Sequence, residues 1–265
     1  MKLGVIAGAG ALPVILTQEA RDAGRQMIVV SITKDADERL GSLATEFHQI
    51  GAGQFKKILD TLVKTGVKET AVIGRVSKDL LFKPMHLDLR AIKVLSKLRN
   101  KSDPSIFGAI AEEIESTGIK LIDQRLYLGK LLPQKGIMTK RKLSRDQERD
   151  VEYGMDLARK VAELGIGQTV VVKDQIPLAI EAIEGTDEAI RRGGKLCKGG
   201  AVVAKAARTD HDFRFDVPTI GPDTIDVLAE SKAAALVVEA GKTFLLEPEE
   251  TIRKADKVNI SLVIT

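Results

Sequence analysis

Short apolar runs alternate with segments of helical periodicity along the chain, and this alternation limits the fold more than any other feature of the sequence. Apolar runs bounded by turn residues are typical of buried parallel strands, and amphipathic segments between them are typical of the helices that cover such a sheet. The sequence therefore predicts an α/β protein. For its first part we predict strands at Leu3–Ile6, Met27–Ser31, Glu46–Ile50, Thr70–Ile73 and Lys120–Asp123, and helices at Leu12–Ala23, Gln54–Thr65, Leu87–Leu98 and Pro104–Thr117.

The composition changes at residues 135–149, which are rich in basic and polar residues and lack apolar periodicity. Such a stretch is typical of a solvated connection, and a membrane-facing or substrate-steering patch stays open as the less favoured alternative. We therefore predict an N-terminal domain at 1–134, a linker at 135–149 and a second domain at 150–265. In the second domain we predict helices at Asp150–Leu164, Asp187–Gly193, Pro222–Ser231 and Pro248–Asp256, and strands at Thr169–Val172, Gln175–Glu181, Ala201–Ala206, Ala234–Glu239, Thr243–Leu246 and Ile260–Ile264.

Composition argues against several classes of protein. Aromatic residues make up only 3% of the chain and the net charge is only +4, so neither stacking platforms nor a strongly basic surface indicate nucleic-acid binding. Cys197 is the single cysteine, so an internal disulfide is impossible and a reducing, cytoplasmic location is expected.

Glycines and Pro13 interrupt the apolar run at the start of the sequence, which favours a strand, a loop and a helix over a cleaved signal peptide. No apolar run is long enough to cross a bilayer.

The stretch Gly8-Ala9-Gly10-Ala11-Leu12-Pro13 lies between a predicted strand and a predicted helix. Glycines there allow a sharp turn and close approach of a ligand, and the helix start offers unpaired N–H groups for a phosphate. Pro13 replaces the third small residue of a dinucleotide fingerprint, and no acid ends the second strand. Hydride chemistry is therefore disfavoured, while phosphate contact and a merely structural turn both stay open.

Two acidic positions are candidates for chemistry. In Glu184–Glu188 either Thr186 caps a helix and the acids match its dipole, or a carboxylate such as that of Asp187 binds Mg²⁺. Asp216 has apolar neighbours, and burying its charge is costly without a partner, so we expect either an ion pair with Arg214 or a site residue. Cations suited to a diphosphate occur upstream, at Lys198, Lys205 and Arg208.

Several stretches in order along the chain resemble one family, the UDP-2,3-diacylglucosamine pyrophosphatases of the LpxI type. Together they are far more specific than any single motif. The matching stretches are Ile6–Pro13 (IAGAGALP), Ile50–Leu59 (IGAGQFKKIL), Gly74–Lys78 (GRVSK), Ile166–Gln168 (IGQ), Ala182–Asp187 (AIEGTD), Ala204–Ala206 (AKA) and Asp216–Gly221 (DVPTIG).

The resemblance implies a Rossmann-like N-terminal domain, a distinct C-terminal α/β catalytic domain, a lipid-holding chamber between them and a homodimer. It implies Mg²⁺-dependent hydrolysis of UDP-2,3-diacylglucosamine to UMP and 2,3-diacylglucosamine 1-phosphate (lipid X) in lipid A biosynthesis, with water attacking the β-phosphorus. A lipid-linked substrate is also compatible with peripheral contact with the cytoplasmic face of the inner membrane.

The resemblance also assigns site residues. The family's essential aspartate corresponds to Asp216 and its strand lysine to Lys205, which we predict to be catalytic; whether Asp216 binds metal or orients water stays open. The predicted metal ligands are Asp216 and Asp187, and the predicted substrate-binding residues are Gly8, Gly10, Ala11, Gln168, Gly185 and Thr186.

Two other classes of function share parts of this sequence pattern. The same glycines and lysines suit a non-catalytic carrier or sensor of a lipid phosphate or nucleotide sugar, which only the acidic residues argue against. A nucleotide-dependent oxidoreductase requires NAD(P) affinity, which Pro13 and the missing acid of the second strand disfavour.

Overall fold

A computed structural model describes residues 1–76, 87–96 and 103–265. The chain divides into two units: unit 1 holds Met1–Gly129 together with Asp212–Asp216, and unit 2 holds Lys130–His211 and Val217–Thr265. The predicted stretch Gly74–Lys78 and the predicted helix Leu87–Leu98 both run in part outside the described residues.

Unit 1 is built on a parallel sheet with the strand order β3-β2-β1-β4-β5. The predicted Rossmann-like fold is thereby confirmed. The order reverses at β1, and open α/β sheets bind ligands at the carboxyl ends of the strands where this reversal occurs. The elements are β1 (Lys2–Ala7), α1 (Ala11–Asp22), β2 (Gln26–Ser31), α2 (Arg39–Leu43), β3 (Glu46–Gln49), α3 (Phe55–Lys64), β4 (Glu69–Ile73), α4 (Leu89–Ser96), α5 (Asp103–Glu115), β5 (Lys120–Leu121) and α6 (Arg125–Leu128).

The core of unit 1 explains why β1 and β2 are continuous apolar runs. Both strands lie inside the sheet order and are buried over nearly their whole length, so an alternating pattern is not needed. Helix α3 buries Ile58 and Leu62 against this sheet. Phe215, from far along the chain, belongs to the same core and is only 4% exposed.

Unit 2 contains a mixed six-stranded sheet with the order β6-β13-β11-β9-β7-β8. Strands β9, β11 and β13 are parallel, whereas β6, β7 and β8 pair in antiparallel fashion. The elements are β6 (Gly136–Ile137), α7 (Arg145–Glu163), β7 (Thr169–Lys173), β8 (Ile176–Ile180), α8 (Thr186–Cys197), β9 (Val202–Lys205), β10 (Thr219–Ile220), α9 (Pro222–Glu230), β11 (Ala235–Val238), β12 (Phe244–Leu245), α10 (Pro248–Lys257) and β13 (Ser261–Ile264).

Both faces of the central strands in unit 2 are buried. Val170 and Val172 of β7 pack in a cluster with α7, whereas Val171, between them, packs in a cluster with α8 and α9. This division follows the two-residue period of a strand. The predicted second α/β domain is thereby confirmed in its class.

Residues 135–149, predicted as a linker, contain regular structure at both ends. Gly136–Ile137 forms β6 and pairs with β13. Helix α7 begins at Arg145 rather than at the predicted Asp150, because Ser144 and Gln147 form a capping box that starts the helix earlier. Over the described residues, the helices are all too short or too polar to cross a membrane.

Candidate active site

The glycine-rich loop of unit 1 lies at the carboxyl end of β1, beside the end of β4. The Gly8 N–H donates to the carbonyl oxygen of Ile73 at 2.8 Å, and Ala9 and Arg75 form a two-way backbone bridge. A Cβ atom on Gly8 would lie 2.6 Å from the Arg75 carbonyl oxygen, so a side chain does not fit there. The strand ends β1 and β4 are therefore held together at the switch point of the sheet.

The start of α1 supplies donors beside this loop. Gly10 occupies the N-cap position with φ 101, and no side chain forms a capping hydrogen bond there among the described residues. Ala11 is the first helical residue and is only partly buried. Pro13 removes one donor, so fewer free N–H groups remain than at a usual helix start. Gly8, Gly10 and Ala11, the predicted binding residues, thus share one strand edge.

Arg75 adds positive charge to this edge. The residue is exposed, and its Nε atom lies 3.8 Å from the position that a Cβ atom on Gly10 would take. A guanidinium beside a helix N-terminus can neutralise a phosphate. Arg75 belongs to the matched stretch Gly74–Lys78, but sequence analysis did not predict it as a site residue, because a single arginine has no local signature.

Segment 212–216 is the part of the C-terminal half that belongs to unit 1. The Phe215 ring stacks on Phe107 with centroids 4.8 Å apart. Gln124 holds the segment with three hydrogen bonds: its N–H donates to the Phe213 carbonyl, and its side-chain amide donates to the carbonyls of Phe215 and Val72. Because Val72 is on β4, the segment is anchored beside that strand.

Asp216 follows this anchor and is exposed, although Phe215 and Val217 on either side are buried. Its apolar neighbours in sequence therefore do not bury this carboxylate. Arg214, its expected partner, pairs with Asp212 at 2.8 Å and with Glu115 at 3.1 Å. The Asp216 carboxylate is exposed at the end of this segment.

Lys205 lies at the end of β9 in unit 2 and is 7% exposed. Its neighbours in the sheet are Thr169 on β7 and Val238 on β11. The ammonium donates to the Thr219 carbonyl oxygen at 3.2 Å. The ammonium is thus held at the end of β9 by a carbonyl oxygen of β10.

Glu181 joins two predicted binding residues at the same edge as Lys205. It is 7% exposed, and it accepts a hydrogen bond from the Thr186 hydroxyl at 3.0 Å and one from the Gln168 N–H at 3.3 Å. A Cβ atom on Gly167 would lie 2.2 Å from the Glu181 carbonyl oxygen, which explains the glycine before Gln168. Sequence analysis missed Glu181; its only signal was an acid at the end of a predicted strand.

The predicted cap of α8 is wrong in detail. Gly185 occupies the N-cap position with φ 85, whereas the Thr186 hydroxyl is directed to Glu181. Asp187 is exposed in the first turn. The hydrogen bond from Arg192 is the main cause that lowers the pKa of Glu184, which keeps this carboxylate charged. Gly185, Thr186 and Gln168 therefore lie together, with Glu181 between the last two.

A second buried acid follows β11 in unit 2. Glu239 is 6% exposed and comes directly after Val238, the register partner of Lys205. It accepts hydrogen bonds from Arg159 at 2.9 Å and from the Ala207 N–H at 3.0 Å. The ends of β9 and β11 thus carry one buried cation and one buried anion.

Asp216 and Asp187, the predicted metal ligands, suit a magnesium site that water and substrate phosphates complete. Within residues 1–76, 87–96 and 103–265, no group of three or more His, Cys, Asp or Glu side chains is arranged to hold a metal. Asp216 belongs to unit 1 and Asp187 to unit 2. Mg²⁺ is often held by one or two carboxylates, water and substrate phosphates, and single exposed carboxylates fit that mode rather than an all-protein cage. The predicted ligand pair stays a prediction.

We predict that Gln124→Leu destabilises unit 1 by about 2 kcal/mol, since it leaves the carbonyl oxygens of the buried Phe215 and the partly buried Val72 without this donor. Urea unfolding measures the loss. Gln26→Leu is the matched control, because Gln26 is exposed at the start of β2. Equal stability of the two variants would show that Gln124 does not hold the segment.

Comparisons with known proteins cover almost the whole chain. Residues 2–131 match the family model of the LpxI N-terminal domain, and residues 134–263 match that of the LpxI C-terminal domain. The UDP-2,3-diacylglucosamine pyrophosphatase LpxI of Caulobacter vibrioides is 33% identical over 270 residues, which cover 98% of this chain and 95% of that protein.

Solved structures show only a loose likeness. The biotin carboxylase subunit of pyruvate carboxylase is 12% identical, with a TM-score of 0.28, over 64% of this chain and 34% of that one. N5-carboxyaminoimidazole ribonucleotide synthetase from Thermotoga maritima is 24% identical, with a TM-score of 0.25, over 68% of this chain and 40% of that one. These scores are too low to support an argument about function.

Proposed function

Since this chain belongs to the LpxI family, we propose that it hydrolyses the pyrophosphate of UDP-2,3-diacylglucosamine in lipid A biosynthesis. The products are UMP and 2,3-diacylglucosamine 1-phosphate (lipid X). The observation that carries the proposal is the match over 98% of the chain to a relative named for this activity. Hydrolysis needs positive charge near the phosphates and a group that orients water or holds a metal. We assign the first role to Lys205 and the second to Asp216.

The proposed reaction is attack by water on the β-phosphorus, the one that carries the sugar. A bond forms between the water oxygen and this phosphorus, and the bond from phosphorus to the bridging oxygen breaks. UMP leaves with the bridging oxygen, and one proton of the water is released. Lys205 stabilises negative charge on the phosphate oxygens, and Asp216 either orients the water or holds Mg²⁺. Asp216 and Asp187 would hold Mg²⁺, which would supply charge neutralisation at the phosphate.

The other residues have binding roles in this proposal. The N–H groups at Gly10 and Ala11 and the Arg75 guanidinium suit a phosphate at the switch point of unit 1. Thr186 and Gln168, which both donate hydrogen bonds to Glu181, offer polar contacts at the Lys205 edge of unit 2. The homodimer stays a prediction, which light scattering of the purified protein tests. The cytoplasmic location also stays a prediction, which fractionation of cells tests.

Hydrolysis in ¹⁸O-labelled water tests the bond that breaks. We expect the label in the lipid 1-phosphate and none in UMP, because the water oxygen joins the β-phosphorus. Mass spectrometry of both products measures this. Label in UMP would reject attack at the β-phosphorus. In a separate test, full activity in excess EDTA would reject the proposed requirement for Mg²⁺. Unchanged substrate after long incubation with Mg²⁺ would favour a carrier instead.

A further inference from the structure

Helix α4 of unit 1 presents a row of large apolar side chains to solvent. Leu89 is 84% exposed, Ile92 is 48% exposed and Leu95 is 37% exposed. The spacing of three residues places them on one side of the helix. We call these three side chains the α4 outer face. Single exposed apolar residues are ordinary on a protein surface, but a contiguous row is typical of an interaction site.

The opposite side of α4 is firmly attached to unit 1. Ala91 and Val94 are buried in the core. Arg90 pairs with Glu113 of α5 at 2.6 Å. Asp88 caps the helix start, since it accepts hydrogen bonds from the N–H groups of Arg90 and Ala91. The α4 outer face therefore points outward because the other side of the helix is already packed.

Asp88 also ties α4 to α3. Its second carboxylate oxygen accepts a hydrogen bond from the Lys56 N–H at 2.6 Å. The start of α3 and the start of α4 thus share one capping residue. This shared cap holds the outer face in place without any help from a ligand.

Exposed lysines lie on α4 and on α3, which packs against it. Lys93 is exposed on α4, next in the chain to Ile92. On α3, Lys64 is exposed, whereas the charge of the exposed Lys56 is paired with Asp60. An apolar row with basic residues beside it is the pattern of helices that lie in the surface of an anionic membrane.

We propose that the α4 outer face docks on the surface of an anionic phospholipid bilayer. The proposal rests on the proposed function, because a substrate with two acyl chains is held in a membrane. The alternative occupant is a second copy of the chain, but the cores of protein interfaces are depleted in lysine. The three apolar side chains enter the region between headgroups and acyl chains, and Lys93 binds lipid phosphate.

Flotation with vesicles tests the proposal on the full-length protein. The vesicles are phosphatidylcholine with about a third phosphatidylglycerol, a fraction chosen for a negative surface potential. We expect wild-type protein to float with them and Leu89→Ser/Ile92→Ser to bind at least about tenfold more weakly, because two buried apolar contacts are lost. The matched control is Leu164→Ser/Ile166→Ser, which changes exposed residues of unit 2 and is expected to bind like wild type.

The variant Lys93→Glu tests how much the charge contributes to vesicle binding, independently of the apolar contact. We expect it to weaken binding to the anionic vesicles and to leave the weaker binding to pure phosphatidylcholine vesicles unchanged. Circular dichroism and urea unfolding confirm that each variant is folded. Because the vesicles contain no nucleotide sugar, the result does not depend on whether the chain hydrolyses one.

Two outcomes would overturn the proposal. The first is wild-type protein that does not float, and the second is a double variant that floats as well as wild type. In the second case, a double variant that also becomes smaller by light scattering would make the face an interface between copies. A double variant with a raised KM in detergent micelles would instead assign the face to the acyl chains of the substrate.

Discussion

Asp216→Asn is expected to lower kcat about 10³-fold, the size of effect that loss of a catalytic acid–base group or metal ligand produces. The asparagine keeps the shape of the side chain and removes its charge. Since Asp216 is exposed, the free energy of unfolding is expected to change by less than about 0.5 kcal/mol. Hydrolysis in detergent micelles and urea unfolding measure the two quantities.

The matched control for this variant is Asp223→Asn. Asp223 is also exposed and lies nearby in sequence, at the start of α9, and sequence analysis did not place it in the site. We expect it to keep most of the activity. A stable Asp216→Asn protein with normal turnover would remove Asp216 from the mechanism. A large loss of stability would instead indicate that its carboxylate supports the fold.

Lys205→Met is expected to lower kcat about 10²- to 10³-fold, which is the usual cost of removing one group that stabilises transition-state charge. Methionine fills a similar apolar volume, so the strand end stays packed. The lost hydrogen bond to Thr219 is expected to cost about 1 kcal/mol of stability. Steady-state kinetics and urea unfolding separate the two effects.

Two further variants sharpen the test of Lys205. Lys205→Arg keeps the charge but changes the donor geometry, so we expect partial recovery of kcat relative to the methionine variant. Lys195→Met changes an exposed lysine on α8 and is expected to behave like wild type. If the methionine variant loses stability but retains its turnover per folded molecule, Lys205 is structural only.

The strands of unit 1 could be predicted because their signal is local. The predicted Leu3–Ile6 and Met27–Ser31 lie within the observed β1 and β2 to within one residue at each end. Short helices were missed because they contain too few residues for a periodic pattern. Helix α2 has five residues and helix α6 has four. Strand β6 has two residues and is defined only by its partner β13.

The residues of the candidate site also divide into those that the sequence predicted and those that it did not. Gln168, Gly185 and Thr186 were found from matched stretches, and the structure brings them together. Glu181, which joins Thr186 to Gln168, was not found, because a buried acid at a strand end looks like any other acid in the sequence. The exposure of Asp216 could not be predicted, because apolar neighbours in sequence say nothing about the direction of its side chain.

By itself the sequence determined the alternation of strands and helices, the glycines that the turns require and the family to which the chain belongs. All three depend on residues that are adjacent in sequence or matched in order. Only the tertiary structure decided that segment 212–216 belongs to unit 1, through Gln124 and Phe215, which are 91 residues apart. Such a contact depends on packing between distant parts of the chain, and no local propensity or periodicity encodes it.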